Sequence, residues 1–254
     1  MEIATEARCA AHPDTAADAI CARCGDLVCG ACLGPGDADT RVCAACRERL
    51  GLDRIAWEQA VGGWASRWWR TTRGVLFASV PTFSAATPGS PGRALGYLAT
   101  VMLTVALVAT LMNVLTFSSR VGLVALPAAL PIFAFVLVAQ AAHVLTRTLA
   151  FHAAVHVLGG RGLLRSVWGS AYAHAPLLFY ALVSVFAPLS SNGVVVAVLV
   201  LCTELWLFGE LLIVAQHVHG LSGGRALLAG AAPWLVLVAL ASASCLSGLA
   251  LAAP

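Results

Sequence analysis

Four long stretches of the chain carry no charge at all: residues 94–119, 121–146, 166–203 and 226–254. About 20 apolar residues in a helix match a hydrocarbon core of roughly 30 Å. A backbone in lipid must satisfy its own polar groups, so such runs fold as membrane-spanning helices. Composition closes off the other outcomes. Of the 254 residues, 60% are hydrophobic and 11% charged, against roughly 45–50% and about 25% in soluble chains. Too few charges remain to cover a water-soluble surface. A soluble enzyme domain, a disordered chain and a coiled coil are thereby excluded.

The runs predict an all-α polytopic bundle of five spans, at about 95–117, 121–146, 171–189, 194–214 and 227–250. Pro127 and Pro131 are expected to kink the second span. The cluster Pro188-Leu189-Ser190-Ser191-Asn192-Gly193 is expected to turn the chain between the third and fourth. The first 50 residues hold no apolar stretch of signal-peptide type, which points to a cytosolic amino terminus. With five spans, Arg67, Arg70, Arg73, Arg93, Arg147, Arg161, Arg165 and Arg225 then lie on the inner side and only Arg120 on the outer. This is the positive-inside bias. The expectation is a multi-pass protein of a bacterial inner membrane, carboxy terminus outside.

Seven of the nine cysteines fall between Cys9 and Cys46. With His12 they form four pairs at x2 spacing: Cys9/His12, Cys21/Cys24, Cys29/Cys32 and Cys43/Cys46. Eight ligands suffice for two tetrahedral zinc sites. Sequential, nested and interleaved pairings are all open. The interleaved one is favoured because its gaps, sixteen residues from His12 to Cys29 and eighteen from Cys24 to Cys43, fall in the zinc-ribbon range. It assigns Cys9, His12, Cys29 and Cys32 to one site and Cys21, Cys24, Cys43 and Cys46 to the other. An iron–sulfur site, disulfides or a redox pair are the competing readings; a reducing cytosol argues against disulfides. Two ions with four ligands each leave no open coordination position, so two structural Zn2+ are expected. A module this small has little core, and metal supplies much of its folding energy.

Three domains follow: residues 1–50 as a small two-zinc finger, 51–93 as a Trp/Arg connector, and 94–254 as the membrane bundle. In the connector, Trp57, Val61, Trp64 and Trp68 are spaced 4, 3 and 4, one stripe of a helix, with Arg67, Arg70 and Arg73 elsewhere on the wheel. That pattern predicts a helix lying in the membrane interface, although Gly62-Gly63 weakens it; the alternative is a short helix packed on the protein's own bundle. Inside the spans, Glu204 and Glu210 are ionisable groups at a depth that costs several kcal/mol unless paired or hydrated. Arg147, His152, His156, His174 and His217 join them in a candidate polar cluster near the inner leaflet. Such a cluster reads either as a metal or proton site or as interhelical hydrogen bonding, with Glu210 paired to Arg147. Asn113 and Gln140 read as helix–helix contacts, Cys202 and Cys245 as packed thiols, and Ser244-x3-Gly248 as a packing face.

The series C-x2-H-x8-C-x2-C-x4-C-x2-C resembles the first six ligands of a B-box zinc finger. B-boxes usually close with a His pair, where this chain has Cys43 and Cys46. The resemblance implies a cross-braced protein-interaction module.

A second resemblance covers roughly residues 68–250. It rests on Trp69-Arg70-Thr71, Val75-Leu76, Pro81-x-Phe83, His156-Val157-Leu158-Gly159-Gly160, Tyr172-Ala173-His174-Ala175-Pro176, Trp206, and His219-Gly220-Leu221-Ser222 with Arg225-Ala226. These motifs are similar to the Yip (Rab-GTPase-interacting) membrane-domain family. That implies a five-span protein with a cytosolic amino-terminal region; eukaryotic relatives act in vesicle trafficking.

The function expected from all this is an adaptor: spans as anchor, zinc finger as the surface for a cytosolic protein. The other candidate is a transporter of a small solute, ion or proton through Glu204 and the histidines, with the finger as regulator. The chain has no G-x-S-x-G, no H-E-x-x-H and no phosphate loop, so an enzyme is not expected. Net charge is +3 with no basic run, so nucleic acid is not the expected partner. The lipid bilayer is, and self-association is an open option.

Overall fold

The computed structural model describes residues 7–33, 41–50, 52–121, 127–160, 162–187 and 193–252. It is an all-α bundle with five long apolar helices and a small Cys/His-rich module at its amino-terminal end.

In that module β1 (Ala19–Ile20) pairs antiparallel with β2 (Leu27–Val28), and α1 (Ala44–Leu50) follows. Its interior is mostly cysteine: Cys9, Cys21, Cys29, Cys32, Cys43 and Cys46 are buried around Ala19 and Val28. So little aliphatic surface is enclosed that hydrophobic burial alone does not sustain the fold.

The connector is not one helix. Trp57 sits in a single 3-10 turn, Ala56–Glu58, and α2 (Trp64–Phe77) starts only after Gly62, whose φ of +91° no β-carbon-bearing residue adopts readily. The expected Trp stripe is therefore broken: Trp57 and Trp68 turn toward the protein, while Val61 (45%) and Trp64 (56%) stay exposed. Trp57 packs edge-on against Trp64 and Tyr97, with ring centroids 5.9 Å apart in each case, and donates from Nε1 to the Arg93 carbonyl at 2.7 Å. Trp68 Nε1 donates to Thr100 Oγ1 at 2.8 Å. After a break at Ala78, α3 (Ser79–Ala85) completes a helical hairpin laid against the bundle. A further exposed row runs along α2: Trp69 (57%), Arg73 and Phe77 (69%), each four residues from the next.

The first span lies in α4 (Pro91–Val121). The second, α5 (Ala129–Val157), starts later and ends later than 121–146. Pro131 is in its first turn, where a missing N–H has no intrahelical partner to lose, so the prolines mark a start and not a kink. The helix runs on past Arg147 because that charge is paired inside the bundle. The third span starts at Leu163, not near 171: α6 (Leu163–Ala173), a 3-10 turn at Ala175–Leu177, then α7 (Leu178–Phe186). Pro176 lacks the N–H a continuous helix would need, which accounts for the interruption. The early half begins in polar sequence because Ser166, Trp168, Ser170 and Tyr172 all find partners inside the bundle. α8 (Gly193–His217) and α9 (Gly223–Ala252) complete the set, each longer than the expected 194–214 and 227–250. The turn at 188–192, Arg161, and the side chains of Arg120, Cys245 and Ser244 lie outside the described residues.

The third span is the hub. Trp168, Tyr172, Ala173, Ala175 and Leu177 are all buried, and α6 packs on α4, α5 and α8. Close approach to α8 depends on Gly169, where a Cβ would come within 2.5 Å of Val214 Cγ1. α9 lies outside this group, against α5 and α8.

Candidate functional site

Two groups of metal-ligand atoms form in the amino-terminal module, and they are the interleaved ones. Cys9, His12, Cys29 and Cys32 make the first; Cys21, Cys24, Cys43 and Cys46 make the second; within each, all ligand atoms lie within 4.8 Å of one another. The spacing is the one metal demands. With Zn–S near 2.3 Å, a tetrahedral thiolate pair should be about 3.8 Å apart. Cys9 Sγ to Cys32 Sγ is 3.7 Å and Cys24 Sγ to Cys43 Sγ is 3.8 Å. His12 presents Nδ1, at 3.2 Å from Cys32 Sγ and 3.5 Å from Cys29 Sγ. Burial pushes the Cys9 thiol up, but backbone N–H groups of Cys29, Ala11 and His12 outweigh it and hold it down at about 6. Cys21 is likewise pushed up by burial and held at about 6 by the N–H groups of Cys43, Cys24 and Arg23. Thiolate, the ligating form, is thus favoured at Cys9 and Cys21, whereas Cys24, Cys32 and Cys46 are pushed up, the last two chiefly by burial. Both groups fit a tetrahedral metal ion of zinc type.

The module is mounted, not tethered. Past α1, Leu52 N–H bonds to the Arg47 carbonyl at 2.9 Å, Arg47 pairs with Asp53 at 2.7 Å, and Ala60 N–H bonds to the Leu50 carbonyl at 3.1 Å. The chain then reaches Glu58, which is 1% exposed. Its carboxylate accepts from Trp168 Nε1 (2.5 Å), Tyr172 OH (2.9 Å) and Ser90 N–H (3.1 Å), and its carbonyl accepts from Arg93 Nη1 (2.7 Å). Gly89 has no side chain because a Cβ there would fall on that carboxylate. Glu58 thereby joins the connector, the start of α4 and the hub of the bundle. The sequence reading missed it. The available signal was Trp168 and Tyr172, two polar-tipped aromatics one turn apart in an apolar run that need an acceptor.

Deeper in the bundle, Arg147 (1% exposed) pairs with Glu204, which also accepts from the Tyr180 hydroxyl and, at 2.9 Å, from Trp234 Nε1. The guanidinium lies 4.8 Å from the centre of the Trp234 ring. The expected Arg147–Glu210 pairing does not form. Six residues on a helix turn roughly 120° away, so Glu204 and Glu210 face different neighbours. Glu210 Oε1 instead accepts from Ser79 Oγ of α3 at 2.7 Å and from Trp206 Nε1 at 3.2 Å.

The remaining histidines scatter. His152 Nδ1 is 3.0 Å from Ser166 Oγ, which His219 Nε2 also reaches at 3.3 Å. His174 is buried, with Nδ1 at 2.6 Å from the Ser170 carbonyl. His156 and His217 are exposed. Among the described residues, only the two amino-terminal groups bring metal-ligand atoms to a common point. No known family, curated protein or solved structure matches the chain.

Proposed function

We propose that this protein is an integral membrane adaptor. Its five-span bundle fixes it in the membrane, with the amino terminus cytosolic and the carboxy terminus outside. The two-zinc finger presents a rigid surface to a cytosolic protein. The observation that carries the reading is the completeness of both ligand sets: four protein ligands each leave no position for a substrate or water. The rigid mounting through Glu58 supports it, because a recognition surface held still loses less entropy on binding. The reading includes zinc as the metal, no enzymatic activity, and the B-box-like and Yip-like resemblances as its closest descriptions. A role in membrane organisation or trafficking is the corresponding process.

The test is a crosslinked pull-down from native membranes with the intact protein and a Cys21→Ser/Cys24→Ser variant of matched insertion. Partners lost only from the variant uphold the adaptor. An unchanged partner set sinks it and moves the function into the bundle. One observation favours that second reading, a transporter: a buried ion pair, Arg147–Glu204, deep in the spans. Flux in liposomes abolished by Glu204→Gln would be its signature.

A further inference from the structure

Each ligand set has one exposed corner. In the first it is His12, with Cys9, Cys29 and Cys32 buried; in the second it is Cys24, with Cys21, Cys43 and Cys46 buried. The corner is the same position in both, the last residue of the leading x2 pair. Its chemistry is not the same. An imidazole has no sulfur to oxidise, whereas an exposed thiolate meets any electrophile in the surrounding water. The approach to Cys24 is open: beyond its chain neighbours, no atom lies within 4 Å of where a β-carbon on Gly25 would stand.

Ligation takes the proton off a cysteine, so Cys24 stands at this corner as a thiolate when the set is filled. Asp26 Oδ2 lies 3.1 Å from its sulfur and places a second negative group beside it. Conversion to neutral, oxidised sulfur relieves that repulsion. A second thiol to complete the reaction is at hand, since Cys43 Sγ is 3.8 Å away.

We propose that Cys24 is a modification site for hydroperoxides, and that its oxidation opens the second ligand set while the first stays closed. The proposal rests on the two-zinc reading of the finger and adds its regulation. The Cys24 thiolate attacks an oxygen of the hydroperoxide; an S–O bond forms, the O–O bond breaks, and the alkoxide leaves and takes a proton from water. Sulfur loses two electrons and the peroxide gains them. The Cys43 thiolate then attacks the sulfenic sulfur; an S–S bond forms, the S–O bond breaks, and hydroxide leaves and is protonated to water. Two of the four ligands are spent, and Cys21 with Cys46 does not complete a tetrahedral site. This set ties the turn between β1 and β2 to α1, and α1 leads into the Arg47–Asp53 pair of the mount. Its opening therefore loosens the finger where it is held. A thiol reductant reverses the disulfide, as a reducing compartment requires.

The test uses the full chain in detergent micelles with hydrogen peroxide as the probe. A chromogenic zinc chelator reads release, and mass spectrometry maps cysteine oxidation. One of the two zinc ions is expected to leave as the Cys24–Cys43 disulfide appears, with Cys9, Cys29 and Cys32 still reduced. Dithiothreitol with added zinc should restore it. Cys24→His, which gives the second set the donors of the first, should slow the release. His12→Cys, which puts a thiolate at the first corner, should extend the release to both ions. Loss of both ions together from the unmodified chain, or of neither, overturns the proposal. So does earlier oxidation at Cys9, Cys29 or Cys32, or a first disulfide that lacks Cys24. A chain holding no zinc before peroxide is added overturns the two-zinc reading and the proposal with it. The peptide map of the unmodified chain decides the matter even where a variant fails to fold.

Discussion

Removing the Glu58 carboxylate would strand two buried donors, Trp168 Nε1 and Tyr172 OH, and release the N–H of the exposed Ser90. Each of the two buried donors costs roughly 1–3 kcal/mol when left unpaired. Glu58→Ala should therefore lower the thermal midpoint and expose the connector to trypsin after Arg54, with Glu58→Gln milder because one acceptor oxygen survives. An unchanged midpoint and digestion pattern would show that Glu58 does not mount the finger. Arg147 and Glu204 behave differently because they are a pair. Arg147→Met alone leaves a buried carboxylate and should cost about 3–5 kcal/mol, whereas Arg147→Met with Glu204→Leu should recover much of that loss. Denaturation of the single and double variants in matched detergent measures the difference; equal losses in both would contradict the pairing. At this scale the sequence was unevenly legible. Cysteine spacing exposes its own ligand sets, because both partners of a knuckle lie three positions apart. Glu58 answers side chains 110 and 114 positions away, and no local pattern announces that.

Helices follow the charge-free runs, because lipid imposes helical backbone wherever a run is long enough. Their ends depart from the runs wherever a polar residue finds a partner. Arg147 lies inside α5 because Glu204 meets it, and α6 opens on Ser166 and Trp168 because His152 and Glu58 do. The α2–α3 hairpin shows the reverse difficulty. A wheel drawn through Trp57 and Trp68 assumes one helix that Gly62 interrupts, and these two rings meet the protein's own Tyr97 and Thr100. The exposed aromatics, Trp64, Trp69 and Phe77 with Arg73, are the surface suited to the membrane interface. A nitroxide at position 69 or 77 should collide more with dissolved oxygen than with a water-soluble nickel chelate, and one at the exposed Glu48 the reverse. Water-dominated relaxation at 77 would contradict an interfacial hairpin.

The whole molecule joins two solutions to the folding problem. The bundle is held by lipid-facing apolar surface and a buried third span; the finger has almost no aliphatic core and depends on its ligand groups. That division was plain in the sequence, since seven of nine cysteines and ten of twelve acids precede residue 59. Less plain was the join: the sequence suggests a Trp/Arg interfacial connector, and bonds from Arg47 and Leu50 through Glu58 make a continuous mount. The central claim, two closed metal sites on a membrane anchor, is tested most directly by elemental analysis of the purified chain. The account predicts two zinc ions per chain. It predicts one in Cys9→Ser/Cys32→Ser, whose lesions share a site, and none in Cys9→Ser/Cys21→Ser, whose lesions fall in different sites. The opposite pattern in the two double variants would contradict the interleaved architecture, and a metal-free intact chain would contradict the account itself.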